Sequence, residues 1–229
     1  MNRRECSGAL FHLGAAGSWL AAAPARAAAL SERDAARGVR AALERGALAA
    51  VGLLGRQDGF LGNAKVRIPL PGVLEDAARL LRGAGQGKRV DELVTAMNRA
   101  AEAAVPEARA LFVDTVREMS VEDALGIVRG GDTSVTDFFA RKTRAPLGAK
   151  FLPIVTRATE KVQLAERYNA VAAKAAGLGL LKGGQVTIQQ HVTGKALDGL
   201  YLMVGEEERK IRADPVKTGS AILRQVFGR

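Results

Sequence analysis

Residues 90–104 read VDELVTAMNRAAEAA, and the spacing of the apolar residues in this stretch decides the fold class. The intervals between them are 3, 1, 3, 4 and 3 residues, which is typical of an α-helix with one buried face. Ala supplies 42 of the 229 residues and aromatic residues only 4%, so we expect helices that pack through small and aliphatic side chains. The stripe consists of Val90, Leu93, Val94, Met97, Ala101 and Ala104.

The same helical spacing recurs on both sides of this stretch, between breaks marked by Gly and Pro. The sequence predicts an all-α fold, with a single compact domain of about eight or nine helices over residues 28–229. A chain of this length can bury enough surface to fold without a metal ion or a disulfide bond. The predicted helices cover residues 31–54, 72–81, 90–104, 106–119 and 120–130, a stretch that starts at 133 or 134, turns bracketed by Pro146 and Pro153, and residues 163–176, 192–211 and 220–227.

One stretch breaks the helical pattern, and it reads DGFLGNAKVRIPLP over residues 58–71. Pro69 and Pro71 each lack a backbone donor and push the preceding residue into an extended conformation, so a helix cannot continue there. We therefore expect an extended, Pro-containing loop at 58–71, with a short edge strand at Val66–Ile68 as one option. If this loop covers a cavity, a ligand-binding function is favoured. If it lies flat on the protein with its backbone merely solvated, a scaffold or interaction role is favoured.

The first 27 residues have the pattern of a secretory signal peptide. Arg3 and Arg4 form the positively charged start, an apolar stretch covers Gly8–Ala23, and cleavage is expected between Ala27 and Ala28. A short membrane anchor is the alternative, but the apolar stretch is too short to span a bilayer comfortably. We therefore expect a periplasmic protein that is not integral to the membrane after cleavage. Export by the general secretory route and by the twin-arginine route both stay open.

The composition excludes several kinds of site. The only cysteine, Cys6, lies in the predicted signal peptide, and His191 is the only histidine after it, so we expect no metal site and no cofactor. The formal charge is +10, but the basic residues are dispersed and rarely alternate with aromatics, which argues against nucleic acid. The partner stays unknown. A weak contact with an anionic envelope surface, or with a protein, fits this charge better.

Two clusters of polar residues lie beside the predicted apolar stripes. Asn98 and Glu102 are one turn apart, so both can point into a groove between helices, where hydrogen bonding between helices is the simpler explanation. In the run 206–210, the apolar stripe passes across Glu207 or Glu208, so one of these carboxylates is expected to face the core. Its expected partner is Arg212 or Lys195, and the expected pairs along this helix are Glu206–Lys210 and Glu208–Arg212.

No residue is assigned a catalytic role. His191 precedes the predicted helix at 192–211, and a half-exposed polar side chain is the expectation for it. A carboxylate and arginine pocket is the alternative to a purely structural role for the polar residues, and its members would have to converge from different helices. The candidate binding residues are Asn98, Glu102, Arg141, Asp198, Glu207 and Arg212.

Several short motifs follow one another in an order that resembles a known family. They are Asp58-Gly59-Phe60, Ile68-Pro69-Leu70-Pro71, Met97-Asn98-Arg99-Ala100-Ala101-Glu102, Ala196-Leu197-Asp198-Gly199-Leu200, Glu207-Glu208 with Ile211-Arg212 and Pro215, and Val226-Phe227-Gly228. Together they resemble the bacterial exported family of domain of unknown function 4197. The resemblance implies an α-helical, single-domain envelope protein of Gram-negative bacteria, and it supplies no activity, cofactor or catalytic residue. Tyr201 is a departure, because the family pattern has Phe there.

Two functional hypotheses follow from the sequence. The favoured one is a non-enzymatic periplasmic helical protein, a binding or envelope-associated interaction module. The alternative is an enzyme of unknown reaction that uses the carboxylate and arginine pocket. The sequence favours the first because it lacks a recognisable catalytic apparatus.

Overall fold

The structure is a computed structural model that describes residues 32–131, 133–160, 162, 165–170 and 187–214. These ranges contain seven α-helices, a 3-10 turn and a short helical stretch at 165–170, and they contain no strand, so the predicted all-α fold is confirmed. The helices are α1 (Glu32–Leu54), α2 (Gly72–Gly83), α3 (Gly87–Ala104), α4 (Ala108–Arg117), α5 (Val121–Arg129), α6 (Ser134–Thr159) and α7 (Ile188–Ala213), and the 3-10 turn is Val105–Glu107.

Some predicted features lie outside the described residues. They are the signal peptide at 1–27, most of the helix predicted at 163–176, and the closing helix at 220–227. Among the other helices, α5 starts as its sequence predicts, because Ser120 and Asp123 form a reciprocal capping box.

Helices α6 and α7 form the centre of the fold and pack against each other. Helix α3 contacts both, α1 lies against α4, α5 and α7, and α2 lies against α3. Burial of the apolar side chains in these contacts is the main favourable contribution to folding. The largest fully buried side chains are Phe60, Phe112, Phe139, Phe151, Leu54, Ile68, Leu93, Met97, Leu147, Ile188 and Leu200.

Two glycines in α7 allow the closest approaches in this centre. A Cβ atom on Gly199 would lie 2.9 Å from Cε1 of Phe60, and one on Gly205 would lie 2.7 Å from Oγ1 of Thr136. Both distances are too short for non-bonded atoms in a close-packed interior, so a side chain would push the 58–71 loop or α6 away from α7. Gly199 therefore sets how closely the loop sits on α7.

Pro146 and Pro153 lie inside α6, so the helical turns predicted between them are present and form part of one continuous helix. A proline inside a helix removes one backbone hydrogen bond, and its ring crowds the carbonyl four residues earlier, which bends the helix away from the ring. Both prolines are on the exposed side of α6, where such a bend turns the helix toward the core. Phe151 and its neighbours on the opposite side are buried and keep α6 continuous.

The 58–71 loop forms turns in its first half and an extended segment in its second half, without a strand at Val66–Ile68. The edge strand considered from the sequence is therefore wrong. A strand needs a neighbouring strand to bond its backbone, and the described residues contain none. Four apolar side chains anchor the loop in the core, namely Phe60, Val66, Ile68 and Leu70.

Helix α7 begins at Ile188, before the predicted start at 192. The reason is a second capping box, in which the Thr187 hydroxyl accepts from the Gln190 backbone and the Gln190 side chain accepts from the Thr187 backbone. As a consequence, His191 lies in the first turn of α7 and is only 8% exposed. The expectation of a half-exposed histidine is wrong.

Tyr201, the departure from the family pattern, has a buried hydroxyl with a partner. Its oxygen lies 2.8 Å from Oγ1 of Thr143, and the Thr143 hydroxyl donates to the Phe139 carbonyl at 2.6 Å, so Tyr201 donates to Thr143. Burial raises the pKa of Tyr201. The extra oxygen relative to Phe is therefore accommodated by a single residue of α6.

We expect Thr143→Val to destabilise the protein by about 1–3 kcal/mol, because the buried Tyr201 hydroxyl loses its acceptor. Tyr201→Phe should cost less, because the Thr143 hydroxyl keeps its bond to the Phe139 carbonyl. Urea denaturation followed by circular dichroism measures both losses. The double variant should recover part of the cost of Thr143→Val, and a larger loss in Tyr201→Phe than in Thr143→Val would contradict the assignment.

Candidate functional site

Asn98 of α3 binds the backbone of the 58–71 loop and is fully buried. Its Oδ1 accepts from the Ile68 backbone N–H at 2.8 Å, and its Nδ2 donates to the Ile68 carbonyl at 3.0 Å. The second proton of Nδ2 goes to the Val94 carbonyl at 2.8 Å. The side-chain amide thus takes the place of a neighbouring strand for one residue of the loop.

Glu102, one turn further along α3, binds the first half of the loop. Its Oε1 accepts from the backbone N–H groups of Phe60 and Leu61, at 3.0 and 3.1 Å. Its Oε2 is 2.6 Å from Arg99, which also donates to Asp58 at 2.8 Å. These two carboxylates raise the pKa of Arg99, with the bond to Glu102 as the largest cause.

His191 of α7 holds the loop from the other side. Its Nε2 lies 3.1 Å from the Pro69 carbonyl, which can only accept, so Nε2 carries the proton. Burial lowers the pKa of His191, and the nearby charge of Lys195 acts in the same direction, while the bond to the Pro69 carbonyl opposes them. The surroundings of His191 therefore favour its neutral imidazole form.

Asn98 and Glu102 are the two candidate residues that the structure brings to one place. They point at the loop, however, and the prediction that they pair across a groove between helices is wrong. The loop lies directly on both side chains. Arg99, Asp58 and His191 belong to the same site and are absent from the candidate set. Their contacts with the loop, Arg99–Asp58 and His191–Pro69, join residues that are far apart in sequence.

Arg212, another candidate, binds Glu208 at 2.7 Å and also donates to the Ile127 carbonyl at 2.9 Å. Glu208 is 5% exposed, so the predicted core-facing carboxylate and its pairing with Arg212 are confirmed. The predicted pair Glu206–Lys210 is wrong. Lys210 is 2.6 Å from Glu207, and Glu206 binds Lys65 of the loop at 2.7 Å, which lowers the pKa of Glu206.

The remaining candidates, Asp198, Glu207 and Arg141, lie elsewhere. Asp198 pairs with Arg144 of α6, while Arg141 is exposed beside a groove between α5 and α6. Asp198 and Arg212 are separated by about 21 Å along the axis of α7, since each residue advances the helix by about 1.5 Å. The structure therefore does not gather the six candidates into one pocket.

Surface grooves occur in other parts of the fold. One lies between the loop and α2 beside Arg67, one lies between α1 and α7 beside Ile211, and the third is the groove beside Arg141. None of these three is lined by Asn98 or Glu102. In the described part of the chain, no group of three acidic or histidine side chains is arranged to hold a metal ion. No helix described here has the length and apolar character needed to cross a bilayer.

Helix α6 carries an unusual exposed surface that the sequence analysis did not identify. The α6 outer face comprises the exposed residues between 141 and 158, and it has no carboxylate and no neutral hydrogen-bonding side chain. Arg144 is paired with Asp198, and the other four cations form no ion pair with any described residue. The members of the α6 outer face are Arg141, Lys142, Arg144, Ala145, Pro146, Ala149, Lys150, Leu152, Pro153, Arg157 and Ala158.

The charge of α6 differs from that of every other described helix. It has five basic residues and one acidic residue, Asp137, whereas basic and acidic residues differ by no more than one in each of α1–α5 and α7. Lys142, Lys150 and Arg157 are about two turns apart from one another, so they follow one side of the helix. This excess of basic residues could have been found by counting the charges of each predicted helix, because the total charge of the chain does not show which helix carries it.

The model of one protein family matches residues 29–228, and the description of that family is Protein of unknown function (DUF4197). This range includes every residue that the structure describes, and it confirms the resemblance seen in the sequence motifs. No curated protein and no solved structure matches the chain.

Asn98→Leu should destabilise the protein by about 2–5 kcal/mol, because both backbone groups of Ile68 would be buried without a partner. Glu102→Gln should cost less, because the remaining carbonyl oxygen can still accept from Phe60 and Leu61. Urea denaturation gives both free energies of unfolding. Equal, small losses in the two variants would show that the loop backbone does not depend on these bonds.

His191 gives a pH dependence with a definite sign. Its pKa in the folded protein lies below the unfolded value of about 6.5, so its stabilising contribution is complete above that value and is lost as the pH falls toward the folded pKa. Between about pH 7.5 and pH 5, the free energy of unfolding should therefore fall more steeply in the wild type than in His191→Gln. Parallel curves for the two proteins would contradict the burial of a neutral His191.

Proposed function

This chain belongs to the DUF4197 family, and on that premise we propose a non-enzymatic interaction module of the bacterial envelope that binds a polyanionic partner through the α6 outer face. One observation carries the proposal. Five of the six charged residues of α6 are basic, whereas basic and acidic residues nearly cancel in each of the other described helices, and no exposed residue of α6 between 141 and 158 is a carboxylate. Such a surface attracts anionic groups and repels cationic ones over several ångströms.

The architecture supports binding by a preformed surface. The inner side of α6 is fixed in the core by Leu147, Phe151 and Val155, all fully buried, so the backbone positions that carry the exposed cations keep a constant arrangement. A surface that is already ordered loses less conformational entropy when a partner binds. The α6 outer face therefore meets its partner without a rearrangement of the helix.

The polar residues that could build an enzyme have structural partners instead. Asn98 and Glu102 bind the loop backbone, Asp198 binds Arg144, and Arg212 binds Glu208. A shared acid–base site needs groups within hydrogen-bond reach of one reacting atom, and these residues are spread over the fold. This distribution favours the interaction module over the alternative of an enzyme with a carboxylate and arginine pocket.

The envelope location rests on the first 27 residues. Arg3 and Arg4, the apolar stretch after them and the small residues near Ala27 support export and cleavage before Ala28. Residues 28–229 contain no cysteine, which suits an oxidising compartment. The periplasm also brings the protein close to anionic lipid headgroups and acidic polymers, which are partners for a basic surface.

The triple variant Lys142→Gln/Lys150→Gln/Arg157→Gln should bind polyanions roughly a hundredfold more weakly than the wild type, since each cation near an anionic surface contributes about 1 kcal/mol. Binding of dextran sulfate and of vesicles containing phosphatidylglycerol, measured by fluorescence at low salt, provides the readout. Wild-type binding should also weaken as salt is added.

The matched control is Arg33→Gln/Arg109→Gln/Arg129→Gln. These three arginines are exposed on α1, α4 and α5, form no ion pair with a described residue, and change the net charge by the same amount. The control should bind almost as well as the wild type. Equal weakening in the two triple variants would mean that net charge alone, and not the α6 outer face, drives binding.

A further inference from the structure

We infer that the partner of the α6 outer face is the headgroup layer of an anionic lipid bilayer, an inference that rests on the function proposed above. Four cations without an ion pair to a described residue, two prolines, three alanines and one leucine make up most of this face. It therefore combines positive charge with small apolar groups. The headgroup layer of a bilayer offers the complement, with phosphates at its surface and acyl chains directly beneath.

The exposed residues of the α6 outer face include no neutral hydrogen-bonding side chain, and the partly buried Thr156 beside them donates its hydroxyl to the Leu152 carbonyl of its own helix at 2.8 Å. This composition separates a lipid partner from a folded acidic protein. Protein interfaces use directed hydrogen bonds, about one for each 100–200 Å² of buried area, to fix a unique orientation. The long cationic side chains of the face can follow phosphates at variable positions, but none of the exposed residues between them has an amide or hydroxyl side chain that would fix a register. A fluid array of lipid headgroups requires no register.

Leu152 supplies the apolar contact. Its side chain is 38% exposed, and it lies eleven residues, about three turns, after Arg141, so it is on the same side of α6 as that cation. Burial of a leucine against acyl chains is favourable, whereas a soluble polyanion gives this side chain no apolar environment. Leu152 therefore distinguishes a lipid surface from a polyanionic polymer.

The contact is peripheral and reversible. Helix α6 stays part of the core through its buried side, so the α6 outer face can lie on the headgroup layer while the fold remains intact. The attraction is mainly electrostatic, and it weakens at ionic strengths that shorten the screening length to about 8 Å.

The experiment compares two ligands with a single substitution. Vesicles of phosphatidylcholine with about a quarter of phosphatidylglycerol present an anionic bilayer, and dextran sulfate presents similar charge without an apolar layer. Leu152→Ser should weaken vesicle binding about fivefold and leave dextran sulfate binding unchanged. Pure phosphatidylcholine vesicles should bind neither protein appreciably, because they lack net negative charge.

Leu80→Ser is the control, since Leu80 is also an exposed leucine, 77% exposed, but lies on α2. This variant should bind both ligands as the wild type does, and circular dichroism should show that both serine variants stay folded. Binding to dextran sulfate but not to anionic vesicles, or an equal effect of Leu152→Ser on both ligands, overturns the lipid inference and leaves the proposed function in place. Binding to neither ligand overturns both.

Discussion

Backbone groups that are carried into a protein interior need hydrogen-bond partners, and the 58–71 loop makes this requirement the central constraint of the fold. The loop buries Phe60 and Ile68, yet Pro69 and Pro71 prevent it from continuing as a helix. Its peptide groups therefore depend on side chains. Asn98 and Glu102 meet that need from α3, which gives these two polar residues a physical reason to be buried.

The parts of the fold that the sequence predicts are those set by local rules. Apolar spacing identifies α3, a capping box marks the start of α5, and two prolines mark the loop. The partners of Asn98 and Glu102 could not be predicted in this way, because Ile68 is 30 residues from Asn98 and Phe60 is 42 residues from Glu102. The spacing of residues shows that a polar side chain borders the apolar stripe of its helix. Only the folded structure shows which group that side chain binds.

Helix α6 shows how a local rule can mislead. Pro146 and Pro153 each remove a hydrogen bond, which predicts a break, but both rings face solvent and the buried side of the helix continues past them. The same exposed side collects the cations. A count over the chain treats these charges as dispersed, whereas the three-dimensional arrangement places them at exposed positions of a single helix, where they act together.

The 58–71 loop is held through its backbone, and this affects which of its residues can be substituted. Asn98 and Glu102 contact peptide groups, which almost every residue type provides, so the bonds do not depend on the side chains at exposed positions such as Ala64 and Arg67. Those exposed positions therefore form a surface whose backbone shape is fixed by the bonds from Asn98 and Glu102. New recognition chemistry could be grafted there, by evolution or by design, while the hydrophobic interior stays as it is.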